Sequence, residues 1–338
     1  MKKTPKVLTY IVFLVLGVLL LYLCFRNIDL SLLWEDIKKS HYSWMFLSLA
    51  CLAISLFFRA LRWNLMINAL DYKTRASTTF GAVLIAYLAN NVFPRLGEVV
   101  RCGVLSKHEN IPFDKSFGTV VSERIVDMLV LLVLALLVIV FQWQLLGDLI
   151  TSWLIPFFNM LTNNILTVVI VLLVLAVIVT FIYLKKDKVK MPKKKLASKI
   201  SGIWHGFVDG IKSVFTMQHK WLFVLYTVLI WGFYVIMTWL PFYMFNETSS
   251  LGIVEAVTLL GLATLGFVAP VPGGIGTYHY IGILLLNGFY GISKQTAASF
   301  VAINHASQLL FYIVAGGLSY ILLIFIDRRK PVNNADDE

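Results

Sequence analysis

Two prolines and three glycines in the stretch Ala269-Pro270-Val271-Pro272-Gly273-Gly274-Ile275-Gly276-Thr277 break an apolar run that extends from about Ile253 and resumes at Ile281–Leu286. At membrane depth, each backbone group freed by such a break costs several kcal/mol unless protein or trapped water satisfies it. The break therefore predicts either a tightly packed hairpin or a cavity. Proline at the first helical position gives up only an N–H that would have no partner, and glycine lets the chain turn. A helix restarting near Gly276 would point its N-terminus, with roughly half a positive charge, into the membrane. Such an end suits a phosphate or a carboxylate.

The surrounding chain supports a membrane setting. Of 338 residues, 59% are hydrophobic and 14% charged, more apolar sequence than a soluble core needs. The formal charge of +11 sits in loops between apolar segments, where topology and anionic headgroups account for it, so nucleic-acid binding is excluded. Cys24, Cys51 and Cys102 have neither paired nor metal-ligand spacing and read as packing residues. The expectation is no metal and no cofactor.

In chain order, Lys2, Lys3 and Lys6 precede an apolar run from Val7 to Phe25, long enough to span and without a small-residue cleavage site. A second span, about Trp44 to Ile67, carries Arg59 and Arg62, with Lys73 and Arg75 placing its end in the cytoplasm. Arg59 lies deep enough to face a partner inside the bundle. The next segment, Thr78 to Phe93, is short and leads into Asn90-Asn91-Val92-Phe93-Pro94-Arg95-Leu96-Gly97-Glu98-Val99-Val100-Arg101. A full crossing would put Arg95, Arg101, Lys107 and Lys115 outside, against the positive-inside bias. A re-entrant hairpin turning near Asn91–Pro94 avoids this and buries Arg95, Glu98 and Arg101 near the midplane; the alternative is an ordinary basic cytoplasmic loop beside a short interfacial helix. Span Phe117–Phe141 opens with Ser122-Glu123-Arg124-Ile125-Val126-Asp127, whose Glu123 and Asp127 share a face and suit Arg59 or Arg62 as partners. An inward span at Ile165–Leu184 then leads to a lysine-rich cytoplasmic loop, Lys185 to Lys199. Trp221–Phe245 returns outward, the broken segment 253–290 is read as the second hairpin, though two full crossings would leave its ends on the same sides, and Ala297–Ile326 is the last span, held in the cytoplasm by Arg328, Arg329 and Lys330. On that span Asn304, His305 and Gln308 form a polar patch suited to interhelical hydrogen bonds or to substrate.

The order span, hairpin, span occurs twice. Trp44 recurs as Trp221, Pro94 as Pro272 and Asp114-Lys115 as Ser293-Lys294, at offsets of about 177 to 179 residues. The first unit starts outside and the second inside, which is an inverted-topology repeat. The chain is thus read as a single integral membrane domain, all-α and polytopic, with about six full spans and two re-entrant helical hairpins. Residues 1–43 hold the first span and a connection, 44–141 repeat 1, 142–220 a linking span and the basic loop, 221–326 repeat 2, and 327–338 a tail. The location is the inner (cytoplasmic) membrane, with both termini cytoplasmic.

The segments 90–101, 122–127 and 272–276 (Pro-Gly-Gly-Ile-Gly), in that order and spacing, resemble the flippase-like domain family that includes the transmembrane half of lysylphosphatidylglycerol synthases of the multiple peptide resistance factor type. The resemblance covers nearly the whole chain. It implies a helical bundle with re-entrant segments that moves or handles phospholipids or polyprenyl-linked lipids. By motif, Pro94, Arg95, Gly97, Glu98 and Arg101 would line the first hairpin, Glu123, Arg124 and Asp127 the following span, and Gly273, Gly274 and Gly276 the second hairpin. Many members have a glutamate where this chain has His279, which makes a cationic aminoacyl-lipid a less secure substrate. About a dozen residues follow Ile326, so the soluble synthase domain is not expected, nor is synthesis of that lipid.

The leading expectation is a lipid flippase or scramblase that holds a headgroup between two half-helix N-termini. Candidate binding residues are Arg59, Asn90, Asn91, Pro94, Arg95, Gly97, Glu98, Arg101, Glu123, Arg124, Asp127, Pro272, Gly273, Gly274, Gly276, His279, Asn304 and Gln308. No Gly-x-x-x-x-Gly-Lys loop and no His-Glu-x-x-His motif occurs, so neither ATP drive nor zinc chemistry is expected. Two alternatives stay open: a membrane enzyme acting on a lipid phosphate or lipid-linked sugar, and a non-catalytic scaffold. The expected partners are membrane lipids, with a separately encoded lipid-modifying enzyme under the scaffold reading.

Overall fold

The computed structural model describes residues 4–26, 28–144, 147, 151, 155–163, 217–266 and 271–328, and all regular structure among them is helical. The expected span 165–184, the lysine-rich loop, Ala269, Pro270, Arg329 and Lys330 lie outside the described residues. The helices are α1 (Thr4–Phe25), α2 (Leu30–Lys39), α3 (Tyr42–Asn68), α4 (Ala76–Val92), α5 (Leu96–Glu109), α6 (Phe113–Phe141), α7 (Ile155–Asn163), α8 (Lys220–Trp239), α9 (Ile253–Gly266), α10 (Thr277–Ile283) and α11 (Lys294–Arg328). A 3₁₀ turn, Leu240–Met244, extends α8, and a π-helical turn, Leu284–Phe289, extends α10. Residues 136–204 form a second compact unit, whose described regular structure is the end of α6 and α7.

Among the described residues, four segments are long and apolar enough to cross a membrane: Tyr42–Asn68, Phe113–Phe141, Lys220–Met244 and Lys294–Phe325. At about 1.5 Å per residue each exceeds a hydrocarbon core of roughly 30 Å. Their outward faces are apolar, with Leu132, Val133, Leu310, Leu318 and Leu322 all exposed, as lipid requires and water would penalise. α4 and α5 fall short of such a length, at about 25 Å and 21 Å. They are joined by a three-residue turn and pack on each other as an antiparallel pair.

The helices α3 and α8 run antiparallel. Ser48 Oγ donates to Met237 O (2.7 Å) and Ser55 Oγ to Ile230 O (3.0 Å), so the chain numbers run in opposite senses along the contact. Glycine allows another close pairing, since Gly316 of α11 leaves room for Leu88 and the Leu84 carbonyl of α4.

The turns of the two hairpins have matching backbones. Arg95 after Pro94 has φ 63° and ψ 10°, and Gly273 after Pro272 has φ 58° and ψ 10°. The left-handed turn is strain-free for glycine and strained for arginine. These turns meet, for Asn91 stands against Gly273 and Leu309 of α11 packs on the same glycine.

Ends of the bundle are also tied. At one end, His41 N donates to Met244 O (3.4 Å), Ser293 N to Glu247 Oε2 (3.0 Å) and Ser299 Oγ to Asp36 Oδ2 (2.8 Å). At the other, Met66, Met217 and Phe223 cluster. Each hairpin has its own apolar core: Leu52, Leu56, Trp63, Val83 and Leu105 around the first, and Phe242, Leu259, Leu286, Phe300 and Val301 around the second. Cys24, Cys51 and Cys102 are free and buried.

Candidate functional site

Arg59, Arg62 and Trp63 occupy one face of α3, Gly97, Glu98 and Arg101 one face of α5, and Glu123 and Asp127 one face of α6, by i, i+3 and i+4 spacing. Packing these faces together assembles a charged network inside the bundle. Glu123 is fully buried and binds three guanidiniums: its Oε1 accepts from Arg59 Nη1 (2.8 Å) and Arg62 Nη2 (3.1 Å), and its Oε2 from Arg101 Nη1 (2.7 Å). Asp127 pairs with Arg62 Nη2 at 2.7 Å and with Arg59 Nη1 at 3.0 Å. Arg124 Nη2 donates to Glu98 Oε1 at 2.9 Å at a more open edge. Ions taken out of water at this cost are retained only when their partners are well placed, as here.

The network is positively biased, because four guanidiniums face three carboxylates. Arg101 also lies over the Trp63 ring, 4.7 Å from its centroid, while Trp63 Nε1 donates to Thr119 Oγ1 (2.8 Å) and so fixes the ring. Arg59, Tyr87, Asn90, Gly97, Glu98, Arg101 and Arg124 surround a small cavity with about 10 Å³ for the centre of a water molecule, room for one. Buried polar atoms without a partner belong to these residues: Nε and Nη2 of Arg101, Nε of Arg59 and Arg124, and Oε2 of Glu98.

Asn90 builds the floor. Its Oδ1 accepts from Gly97 N (2.7 Å), acting as an N-terminal cap for α5 from the preceding helix. Gly97 allows this approach, since a Cβ there would stand 2.2 Å from Ala86 O.

Arg95 does not join the cluster, contrary to the sequence expectation of a buried midplane charge. It is exposed, because it is the turn residue that exchanges places with Gly273 in the repeat. Pro94 belongs to that turn as well. Glu98 is half-buried and Arg101 fully buried.

The second hairpin makes a separate, uncharged site. His305 Nε2 lies 2.8 Å from Gly273 O, Asn304 Nδ2 donates to Tyr278 OH (2.9 Å), and Gln308 Nε2 donates to Asn304 Oδ1 (3.2 Å). His279 and His305 rings are 4.8 Å apart. At the repeat spacing of about 178 residues, His279 corresponds to Arg101 and His305 to Asp127. The two halves thus hold the same positions with different charge. The helix end at Gly276 is closed: its N–H is 3.4 Å from His279 Nδ1, and the Gly17 carbonyl of α1 lies so close that a Cβ at Gly276 would stand 2.4 Å from it. Pro272, Gly273, Gly274 and Gly276 are therefore turn and packing residues, and the paired open N-termini expected from the sequence are both capped, that of α5 by Asn90 and that of α10 by His279.

Sequence reasoning placed Arg62 only as an ion-pair partner and overlooked Trp63, Tyr87 and Gly17. The face shared by Arg59, Arg62 and Trp63 was the available signal for the first of these; nothing local marked Gly17. Among the described residues, no three His, Cys, Asp or Glu side chains are grouped to hold a metal ion.

A UPF0104 membrane protein of Methanocaldococcus jannaschii is 29% identical over 281 residues, covering 79% of this chain and 80% of that protein. A UPF0104 membrane protein of Pyrococcus horikoshii is 21% identical over 310 residues, 88% of this chain and 91% of that protein. Glycosyltransferase AglD of Haloferax volcanii is 35% identical over 83 residues, 24% of this chain but 13% of that protein. No solved structure matches. The family model described as the lysylphosphatidylglycerol synthase TM region matches residues 10–316, which include both hairpins and the charged network. The chain is a multi-pass membrane protein and belongs to the lysylphosphatidylglycerol synthase transmembrane-region family.

Proposed function

We propose that this protein is a flippase- or scramblase-like transporter that moves a phospholipid or polyprenyl-linked lipid between leaflets, and that it performs no group transfer itself. The observation that carries the reading is the buried, positively biased network around a small cavity beside the first turn of α5, on helices long enough to span. Intramembrane charge of this density is expensive and is kept where a polar group must pass or bind. We read α4–α5 and α9–α10 as re-entrant hairpins, each too short to cross alone, whose turns meet where Asn91 stands against Gly273. In this reading Arg101 and Arg124 face the headgroup, Glu123 and Asp127 position the arginines, and His279, Asn304, His305 and Gln308 hold the second hairpin. The membrane is the inner one, with both termini in the cytoplasm.

The short likeness to a protein named as a glycosyltransferase favours one second reading, a lipid-holding scaffold that serves a separate lipid-modifying enzyme. Translocation separates the two. Purified protein in proteoliposomes with fluorescent headgroup-varied lipids should let an external quencher reach more than the outer-leaflet half. Arg101→Gln should slow this by about tenfold or more, the scale of one charged hydrogen bond, and exposed Arg95→Ala should leave it within about twofold. Folded wild type that moves no lipid would remove the transport reading and leave the scaffold.

A further inference from the structure

Glu98 is placed unlike the other acids of the network. Glu123 and Asp127 are almost completely enclosed, whereas the Glu98 side chain keeps 22% of its exposure and its partner Arg124 keeps 42%. One carboxylate oxygen is bound by Arg124 at 2.9 Å, and the other, Oε2, is buried without a hydrogen bond. In the lining of the same cavity, Arg101 is 2% exposed, and its Nη2 and Nε also lack partners. A full-sized anion does not fit beside this carboxylate, because the cavity holds about one water. Without Glu98, four guanidiniums would face two carboxylates, a surplus suited to a phosphate carrying one or two negative charges.

We propose that the Glu98 carboxylate occupies the seat of a phosphate group, and that an incoming phosphate displaces it from Arg124 and is then held by Arg124 and Arg101. This rests on the reading that the cavity takes an anionic headgroup, and it names Glu98 as an internal competitor for it. Glu98 stands in the first turn of α5, where an oxyanion is favoured by the helix end as well as by the arginines. Displacement moves only a half-exposed ion pair, while Glu123 and Asp127 keep the buried arginines in place.

The consequence is a gain of binding on removing an acid. Titration calorimetry in dodecyl maltoside micelles would use dihexanoyl phosphatidylglycerol, dihexanoyl phosphatidylcholine and inorganic phosphate as probes. Glu98→Gln should bind phosphatidylglycerol about fivefold more tightly than wild type, the size of one half-exposed ion pair. Glu98→Asp should stay near wild type, and Glu35→Gln, the same charge change at an exposed pair on α2, should gain nothing. Adding Arg101→Gln to Glu98→Gln should abolish the gain. Tighter phosphatidylglycerol alone identifies a lipid headgroup, and an equal gain for inorganic phosphate identifies the phosphate group by itself; both support the displacement. Equal or weaker binding by folded Glu98→Gln overturns it, as does a gain that survives Arg101→Gln. Tighter binding without translocation in proteoliposomes would remove the transport reading and leave the competitor role standing.

Discussion

At the scale of single residues, burial decides how much each charge matters. Glu123 holds three guanidiniums with no exposure, so Glu123→Gln leaves them undercompensated. A loss of about 3–5 kcal/mol is expected, measured as a fall in the thermal unfolding midpoint in detergent. Gly97→Ala should also destabilise, by about 1–3 kcal/mol, because its methyl group would meet the Ala86 carbonyl, which is helix backbone and cannot swing aside. Arg95→Gly should act in the opposite direction. It relieves a left-handed arginine and should raise stability by about 1 kcal/mol without changing lipid translocation. The residue types were legible in the sequence, and so was the pairing of Glu123 and Asp127 with Arg59 or Arg62. The exposure of Arg95 was not, because its motif neighbours Glu98 and Arg101 do turn inward and only the backbone angle separates them.

At the scale of elements, hydropathy and helical spacing placed the segments well, with α3, α6, α8 and α11 lying within a few residues of the expected spans. What they missed were the caps. Asn90 caps α5 from across a turn, and Glu247 caps α11 from a preceding loop through Ser293 N and Thr296 Oγ1 (2.7 Å). Both are contacts between segments that a linear pattern does not display. The hydrogen bond from Thr296, with those from Ser293, holds the Glu247 carboxyl below its usual range. A lowered folded value means that the cap stabilises the protein above the ordinary carboxylate value and is lost as pH falls through the folded one. Wild type should therefore unfold at higher temperature than Glu247→Gln near neutral pH, and the difference should shrink as pH drops below about 4. A difference independent of pH would show that the cap does not act through the carboxylate charge.

For the whole molecule, the ties at the two ends of the bundle make a topological prediction. Ser249→Cys lies in the loop beside Glu247, and Lys73→Cys in the connection after α3, at the other end. A membrane-impermeant maleimide should label them from opposite sides in sealed vesicles, against a background of three buried cysteines. The sequence offered landmarks at a nearly constant offset, and Arg95 and Gly273, each following a proline, share a left-handed backbone. The sequence by itself determined that the chain is helical and membrane-borne, with two proline-linked breaks, because apolar length and backbone hydrogen bonding leave few other solutions. Only the tertiary structure decided that the first break carries a charged cavity and the second a closed, histidine-lined turn. That difference depends on which helix packs over each break: α3 and α6 bring arginines and acids to Gly97, while α1 and α11 seal Gly276 with Gly17 and Gly273 with His305. Such long-range packing is fixed by contacts between residues far apart in the chain, which no local pattern encodes.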